Sequence, residues 1–208
     1  MSQETLFALV SFAFVSSITP GPNNLMLMAS GTNFGFARTI PHMVGVSIGF
    51  TLMIVLLGLG VWQAFRLIPY ADLALKAVSA VYLVYLAWKV ANSAPPVMSG
   101  EEPAHGARPF TFMQAALFQW VNPKAWTMGL IAIGAYLSPQ NPSASLTIIA
   151  LAFCLVNLPC IMSWAMMGAQ LRRLLRSPLR LRIFNVTAAL LLVASLWPIL
   201  TSTLGEAH

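Results

Sequence analysis

Charged side chains are scarce in this 208-residue sequence, at 8% of the chain, and only five of them are acidic. A soluble domain carries roughly 25%. So little polar surface cannot cover a water-soluble globule, and the 58% hydrophobic content with a mean hydropathy of +0.78 predicts a polytopic membrane protein whose solvent is largely lipid. Cysteine is nearly missing too. Cys154 and Cys160 lie in one predicted span, point to different sides of it and are expected as free, buried thiols. The three histidines, His42, His105 and His208, make no cluster with one another or with the acids, so no metal site, no cofactor and no enzyme's nucleophile–base pair is expected. A basic leader is lacking as well, with Glu4 where it would stand, so the first helix is expected to be retained. The +6 formal charge would suggest nucleic acid in a soluble chain. Here the basic residues fall between apolar runs, where they orient a protein in the bilayer, and no nucleic-acid partner is expected.

What is present is a succession of apolar runs, each near the 20 residues that cross a bilayer. They predict an all-α fold with six transmembrane helices at about 5–29, 40–65, 71–90, 110–137, 146–168 and 183–200. Between the third and fourth lies a polar stretch holding Pro95, Pro96, Glu101, Glu102, Pro103 and Gly106. It divides the chain into a three-helix half at 1–91, a linker at 92–109 and a second three-helix half at 110–208. The stretch at 171–182 carries five arginines, and the loops on its side hold most of the remaining basic residues. That loop is therefore expected on the cytoplasmic side. The last span, rich in Leu, Ala and Val, is expected to face lipid. Gly45 and Gly49 stand four apart on the second span, suited to close helix packing within the chain or to a homodimer contact, alternatives the sequence leaves open.

Two of these spans contain a break. In the first, Pro20-Gly21-Pro22 removes two backbone N–H donors and frees the carbonyls of Ser16 and Ile18. In the fourth, Pro123 of Asn122-Pro123-Lys124 frees the carbonyl of Gln119. Irregular backbone at membrane depth is tolerated where it is buried in protein or lines a wet cavity. Three spans, a linker and three more spans place the two halves in opposite orientations, each opening on a broken helix. This is the inverted-repeat arrangement of many secondary transporters. The half-helices that start at the breaks present N–H groups and a partial positive charge suited to a carboxylate. Asn23, Asn24 and Lys124 are thus expected to hold a carboxylate, while Asn122, Asn157 and freed carbonyls receive an ammonium group, so that the site accepts a zwitterion. Pro159, two residues after Asn157, frees the carbonyl of Leu155, and a structural kink stands beside substrate contact as its reading. Lys124 has no acidic partner in sequence and requires a ligand anion or water. Acids are nearly lacking at membrane depth, which favours neutral over basic substrates. Asp72 with Lys76, one turn apart, reads as an interfacial pair or a proton relay, and His42 as an interfacial residue or a proton carrier.

Several segments carry a family likeness. Thr19-Pro20-Gly21-Pro22-Asn23-Asn24-Leu25, Gly31-x-x-x-Gly35 with Gly45-x-x-x-Gly49, Ala80-Val81-Tyr82-Leu83 with Ala87-Trp88-Lys89, and Gln119-Trp120-Val121-Asn122-Pro123-Lys124-Ala125 together resemble the lysine exporter (LysE/RhtB) family of bacterial amino-acid exporters. The likeness spans most of the chain. It implies export of amino acids or their derivatives across the bacterial cytoplasmic membrane, driven by protons, and within the family it leans toward exporters of cysteine and O-acetylserine. A non-transporting membrane subunit is the alternative. A transporter requires Asn23, Asn122, Lys124 and Asn157 to meet at one cavity, whereas a subunit allows them to scatter.

Overall fold

A computed structural model describes residues 1–93, 108–175 and 177–197, with the side chain of Asp72 excepted. Most of the expected linker at 92–109 lies outside the described residues, as do Arg176 and the chain beyond Trp197. Among the described residues nine α-helices follow one another: α1 (Gln3–Ile18), α2 (Pro22–Phe34), α3 (Phe36–Gly58), α4 (Val61–Arg66), α5 (Ala71–Ala91), α6 (Phe112–Phe118), α7 (Pro123–Tyr136), α8 (Pro142–Leu174) and α9 (Pro178–Ala194), with a 3-10 turn at Gln119–Val121. Among the described residues the fold is entirely helical.

Local chemistry sets the helix ends. The Ser2 hydroxyl caps α1 by accepting from the Thr5 N–H at 3.1 Å. Pro22 opens α2 and Pro123 opens α7, each at a first-turn position where the missing N–H costs nothing. Thr111 and Gln114 close a reciprocal capping box at the start of α6. Gly35, at φ 84°, turns the chain between α2 and α3, and Gly60, at φ 102°, ends the run of α3 and separates the short α4. The second span is therefore shorter than expected at its far end and starts earlier, leaving Pro41 inside α3. Pro159 also differs from a helix breaker, because α8 runs unbroken through it for 33 residues. A single lost hydrogen bond does not interrupt a helix held by neighbours on one side.

Phe36–Gly58, Leu73–Ala91 and Pro142–Leu174 are long and apolar enough to cross a membrane, and α1 with α2, bent by 53° at the break, makes a fourth candidate. α6 and α7 have 7 and 14 residues on either side of their break, and α9 has 17, each short of a span by itself. The helices pair in a reciprocal pattern. α1 and α2 lie on α8, α6 and α7 lie on α3, α3 meets α8, and α5 meets α9. A core cluster of Phe12, Phe50 and Phe153 ties α1, α3 and α8 together, with Phe153 edge-on to Phe12 at 6.0 Å and to Phe50 at 5.4 Å.

Two glycine contacts bring backbones together. A methyl group on Gly31 of α2 would strike the Ala165 carbonyl of α8, and one on Gly168 of α8 would strike the Met28 carbonyl of α2. The Thr32 hydroxyl, also on α2, donates to the Gly168 carbonyl at 3.0 Å across this seam. Gly45 and Gly49 press α3 onto α6 in the same way, so their small faces serve packing within the chain. This close approach places Phe110 on His42, the rings 5.2 Å apart. His42 is buried, only 1% exposed. α9 has two faces: Leu181, Asn185, Ala188, Ala189 and Leu192 form a buried one, while Leu179, Ile183, Val186 and Leu190 leave an exposed apolar one, as expected of a helix that faces lipid. Cys160 is buried, Cys154 only partly so, and both are free. Of the arginine stretch, Arg172 and Arg173 belong to the last turn of α8, where positive charge complements the helix dipole, and Arg180 and Arg182 lie in α9.

The α2–α8 seam gives a direct expectation. Gly168→Ala should lower the stability of the purified protein in detergent by about 1–3 kcal/mol, because its new methyl meets backbone that cannot rotate away. Gly134→Ala, where nothing stands within 4 Å, should show no loss in the same thermal melt.

Candidate functional site

At the first break, five consecutive carbonyls need partners, and side chains supply them all. The Thr19 hydroxyl donates to Ser16 O at 3.1 Å. The Asn24 amide donates to Ser17 O and to Thr19 O, each at 2.8 Å. The Trp164 indole, reaching from α8, donates to Ile18 O at 3.0 Å. The Lys124 ammonium reaches from α7 to Thr19 O at 2.7 Å, the Thr19 hydroxyl oxygen at 2.9 Å and Pro20 O at 3.3 Å. The freed carbonyls of Ser16 and Ile18, expected to face a ligand, are thus taken within the chain. Lys124, expected to lean on a ligand or water, finds its negative pole in the carbonyl end of α1. Its stem crosses Gly21, where an added Cβ would lie 2.7 Å from the lysine Cδ.

The second break is built more simply. Gln119 O accepts from the Asn122 N–H at 3.3 Å. Asn122 leaves helical geometry at φ −98°, ψ 105°, and its side chain caps α7 by accepting from the Lys124 N–H at 3.2 Å. The two breaks also touch through side chains. The Asn23 amide donates to Gln119 Oε1 at 2.8 Å, and the Gln119 amide donates back to Asn23 Oδ1 at 3.3 Å. Gln119 is fully buried, so this exchange satisfies polar groups that water does not reach.

Between the breaks lies a cavity of about 20 Å³, room for a water molecule. Asn23, Asn24, Asn122, Lys124 and Asn157 all line it, together with Gly21. Ser16, Ser17 and Gln119 add polar groups, and Phe50, Met128 and Ile161 form an apolar wall. Pro20, Pro22 and Pro123 stand behind the lining and fix the turns. Not every polar group is used. Asn157 donates to the Ser17 hydroxyl at 3.1 Å, while its Oδ1 is buried without a partner. The Asn23 and Asn24 N–H groups at the head of α2 have no acceptor among the described residues. His42 is not part of this cavity; both its ring nitrogens are buried and unpartnered, and Lys89 lies 5.3 Å from the far side of the shared Phe110 ring. Asp72's side chain is outside the described residues.

Thr19, Ser17, Gln119 and Trp164 join the site through side chains that the sequence reading did not single out. Their signal was visible as polar groups in apolar runs, Ser16-Ser17-Ile18-Thr19 above all. Among the described residues, no three His, Cys, Asp or Glu side chains gather where they could hold a metal ion.

A cavity enclosed by two broken helices, whose ends are satisfied across the break, is the architecture of a membrane translocator. Residues 14–195 match the model of the LysE type translocator family, and the chain belongs to that family. It is a multi-pass membrane protein and an exporter. The cysteine/O-acetylserine efflux proteins of Escherichia coli strain K12 and of Shigella sonnei are each 31% identical to it over 195 residues, covering 93% of this chain and 96% of theirs. No solved structure matches the chain.

The amide exchange between the breaks sets a second expectation. Asn23→Ala and Gln119→Ala should each destabilise the protein, and a double-mutant cycle between them should return a coupling of about 0.5–3 kcal/mol. Pairing Asn23→Ala with the exposed Thr147→Ala should be additive in the same denaturation assay.

Proposed function

We propose that this protein is a secondary active exporter of small neutral amino acids or their derivatives, working across the bacterial cytoplasmic membrane by alternating access and driven by protons. The observation that carries the reading is the meeting of Asn23, Asn122, Lys124 and Asn157, from both ends of the chain, at one cavity. A structural subunit has no need of that convergence. The halves at 1–91 and 110–208 are taken as inverted repeats of three spans, with α6 and α7 together making the fourth and α9 the core of the sixth. Exchanging the halves turns the packing of α1 and α2 on α8 into that of α6 and α7 on α3, and leaves the α3–α8 and α5–α9 pairs unchanged. That reciprocity supports the repeat, and the arginines around 171–182 support a cytoplasmic placement for their loop.

In this reading Asn23, Asn24 and Lys124 hold the substrate carboxylate, Asn122 and Asn157 its amine side, and Pro20, Gly21, Pro22 and Pro123 shape the seat. Pockets that hold small ligands run to about 300–1,000 Å³, so the 20 Å³ cavity must widen to take a substrate. Neutral substrates suit a site whose described lining contains no acid, and the efflux proteins named above, which share 31% identity, point to cysteine and O-acetylserine as the first compounds to try. His42 is proposed as the proton carrier. Sealed by Phe110 and without a hydrogen-bond partner, it can exchange a proton only when the surrounding helices part, which links protonation to conformational change. Asp72 is the second candidate.

Efflux from preloaded proteoliposomes tests the whole reading. Export of L-cysteine or O-acetyl-L-serine should accelerate with an imposed proton gradient, and L-lysine and L-arginine should move far more slowly; export confined to the basic pair would overturn the substrate class. Lys124→Ala should insert normally and lose at least about tenfold in rate, the loss expected from removing one charged contact. His42→Gln should keep exchange at equal pH on both sides and lose the acceleration by the gradient; a full gradient response in this variant would remove His42 from the coupling.

A further inference from the structure

The Lys124 ammonium has three N–H donors, and three oxygens of the first break receive them: Thr19 O at 2.7 Å, the Thr19 hydroxyl at 2.9 Å and Pro20 O at 3.3 Å. No carboxylate takes part. Such a cradle recognises an alkylammonium group and nothing peculiar to lysine. We propose that this cradle is the seat of the substrate's own α-ammonium group, and that Lys124 fills it as a tethered stand-in until an amino acid displaces it. The proposal rests on the transport reading above and moves the amine seat from the Asn122 side to Thr19 and Pro20.

Three further observations carry it. The first is space. With Lys124 in the cradle the cavity holds about 20 Å³, and the lysine stem lies across Gly21, its Cδ where a methyl group would need room. Withdrawal of this one flexible side chain vacates both the cradle and the path to it. The second is charge. When a zwitterion enters, its ammonium replaces one positive charge in the cradle by another, and its carboxylate meets the released Lys124. No unmatched charge is created in either state. An amine without a carboxylate leaves Lys124 unmatched, and a basic amino acid brings an extra charge that the described lining cannot answer. The third is vacancy. The same cavity holds the buried, unpartnered Asn157 Oδ1 and the free N–H groups of Asn23 and Asn24, which give the incoming molecule an acceptor and a pair of donors.

The exchange has a mechanical side. Lys124 is one of two ties between the breaks, the other being the Asn23–Gln119 pair. Substrate binding unfastens the first, so the halves are held more tightly when empty than when loaded.

The cradle can be probed without any transport. Lys124→Ala leaves a space shaped for the lost three-carbon ammonium arm, and Lys124→Met removes the donors while keeping the bulk. In detergent, n-propylammonium chloride should raise the Tm of Lys124→Ala saturably, by about 2–4 °C. n-Propanol and potassium chloride should not, and wild type and Lys124→Met should not respond. In wild type, which needs no variant to fold, L-cysteine, O-acetyl-L-serine, L-serine or L-alanine should raise Tm while their methyl esters, which keep the ammonium and lack the carboxylate, should not. A folded Lys124→Ala that ignores propylammonium, esters that act as well as the acids, or the absence of a shift with every acid would each overturn the proposal. A failure of transport with the cradle still responsive would count against the exporter reading alone, and efflux with a silent cradle against this proposal alone.

Discussion

A helix interrupted in hydrocarbon must find a partner for every carbonyl it releases, because water is not there to supply one. In this protein that requirement ties the elements together. The carbonyls from Ser17 to Pro20 are reached by Asn24 from α2, Trp164 from α8 and Lys124 from α7. Helices far apart in sequence must therefore come to the same place. The glycine seam of α2 and α8 keeps their axes close enough for Trp164 and Asn157 to arrive, and the small face of α3 brings the α6 end of the second break alongside. Packing and polar satisfaction thus specify the same arrangement, which is the consistency expected of a well-determined fold.

Four of the amides pair reciprocally. Asn23 with Gln119 and Asn33 with Asn185 each exchange two hydrogen bonds, the second pair at 2.9 and 3.1 Å. An amide carries a donor and an acceptor without net charge, so two of them can answer one another in a low dielectric at little cost. Asn33 and Asn185 link α2 to α9, and Asn185 also reaches the Ser93 carbonyl after α5 at 3.3 Å. Against this background the unanswered buried side-chain atoms among the described residues, Asn157 Oδ1, Ser79 Oγ and the His42 nitrogens, stand apart.

The breaks were legible in the sequence because proline is unambiguous: it removes a donor wherever it stands. Which cavity they would build was legible only in part. Asn23, Asn24, Asn122, Lys124 and Asn157 could be named as polar groups near breaks, but two of the three partners of Lys124 are backbone oxygens, which have no letter in the sequence. Pro159 shows the converse. Its ring resembles the others on paper, yet α8 continues through it, held by the helices α1, α2 and α3 that pack along it. The buried face of α9 and the burial of His42 were not legible, for one shared reason. Composition reports how apolar a segment is but not which of its faces is covered, and here α5 and α2 cover α9 while Phe110 covers His42.

The length of α8 has its own consequence. At 33 residues and 1.5 Å per residue it is a rod of about 50 Å, against a hydrocarbon core of about 30 Å. Asn157 falls near its midpoint, with Pro142 at one end and Leu174 at the other. A rod pivoting at its centre moves its ends and not its middle: a tilt of about 10° would sweep each tip by roughly 4 Å. Under such a tilt the amide at the cavity would stay in place while the arginine-bearing end moved, the geometry of a balance beam with its fulcrum at Asn157.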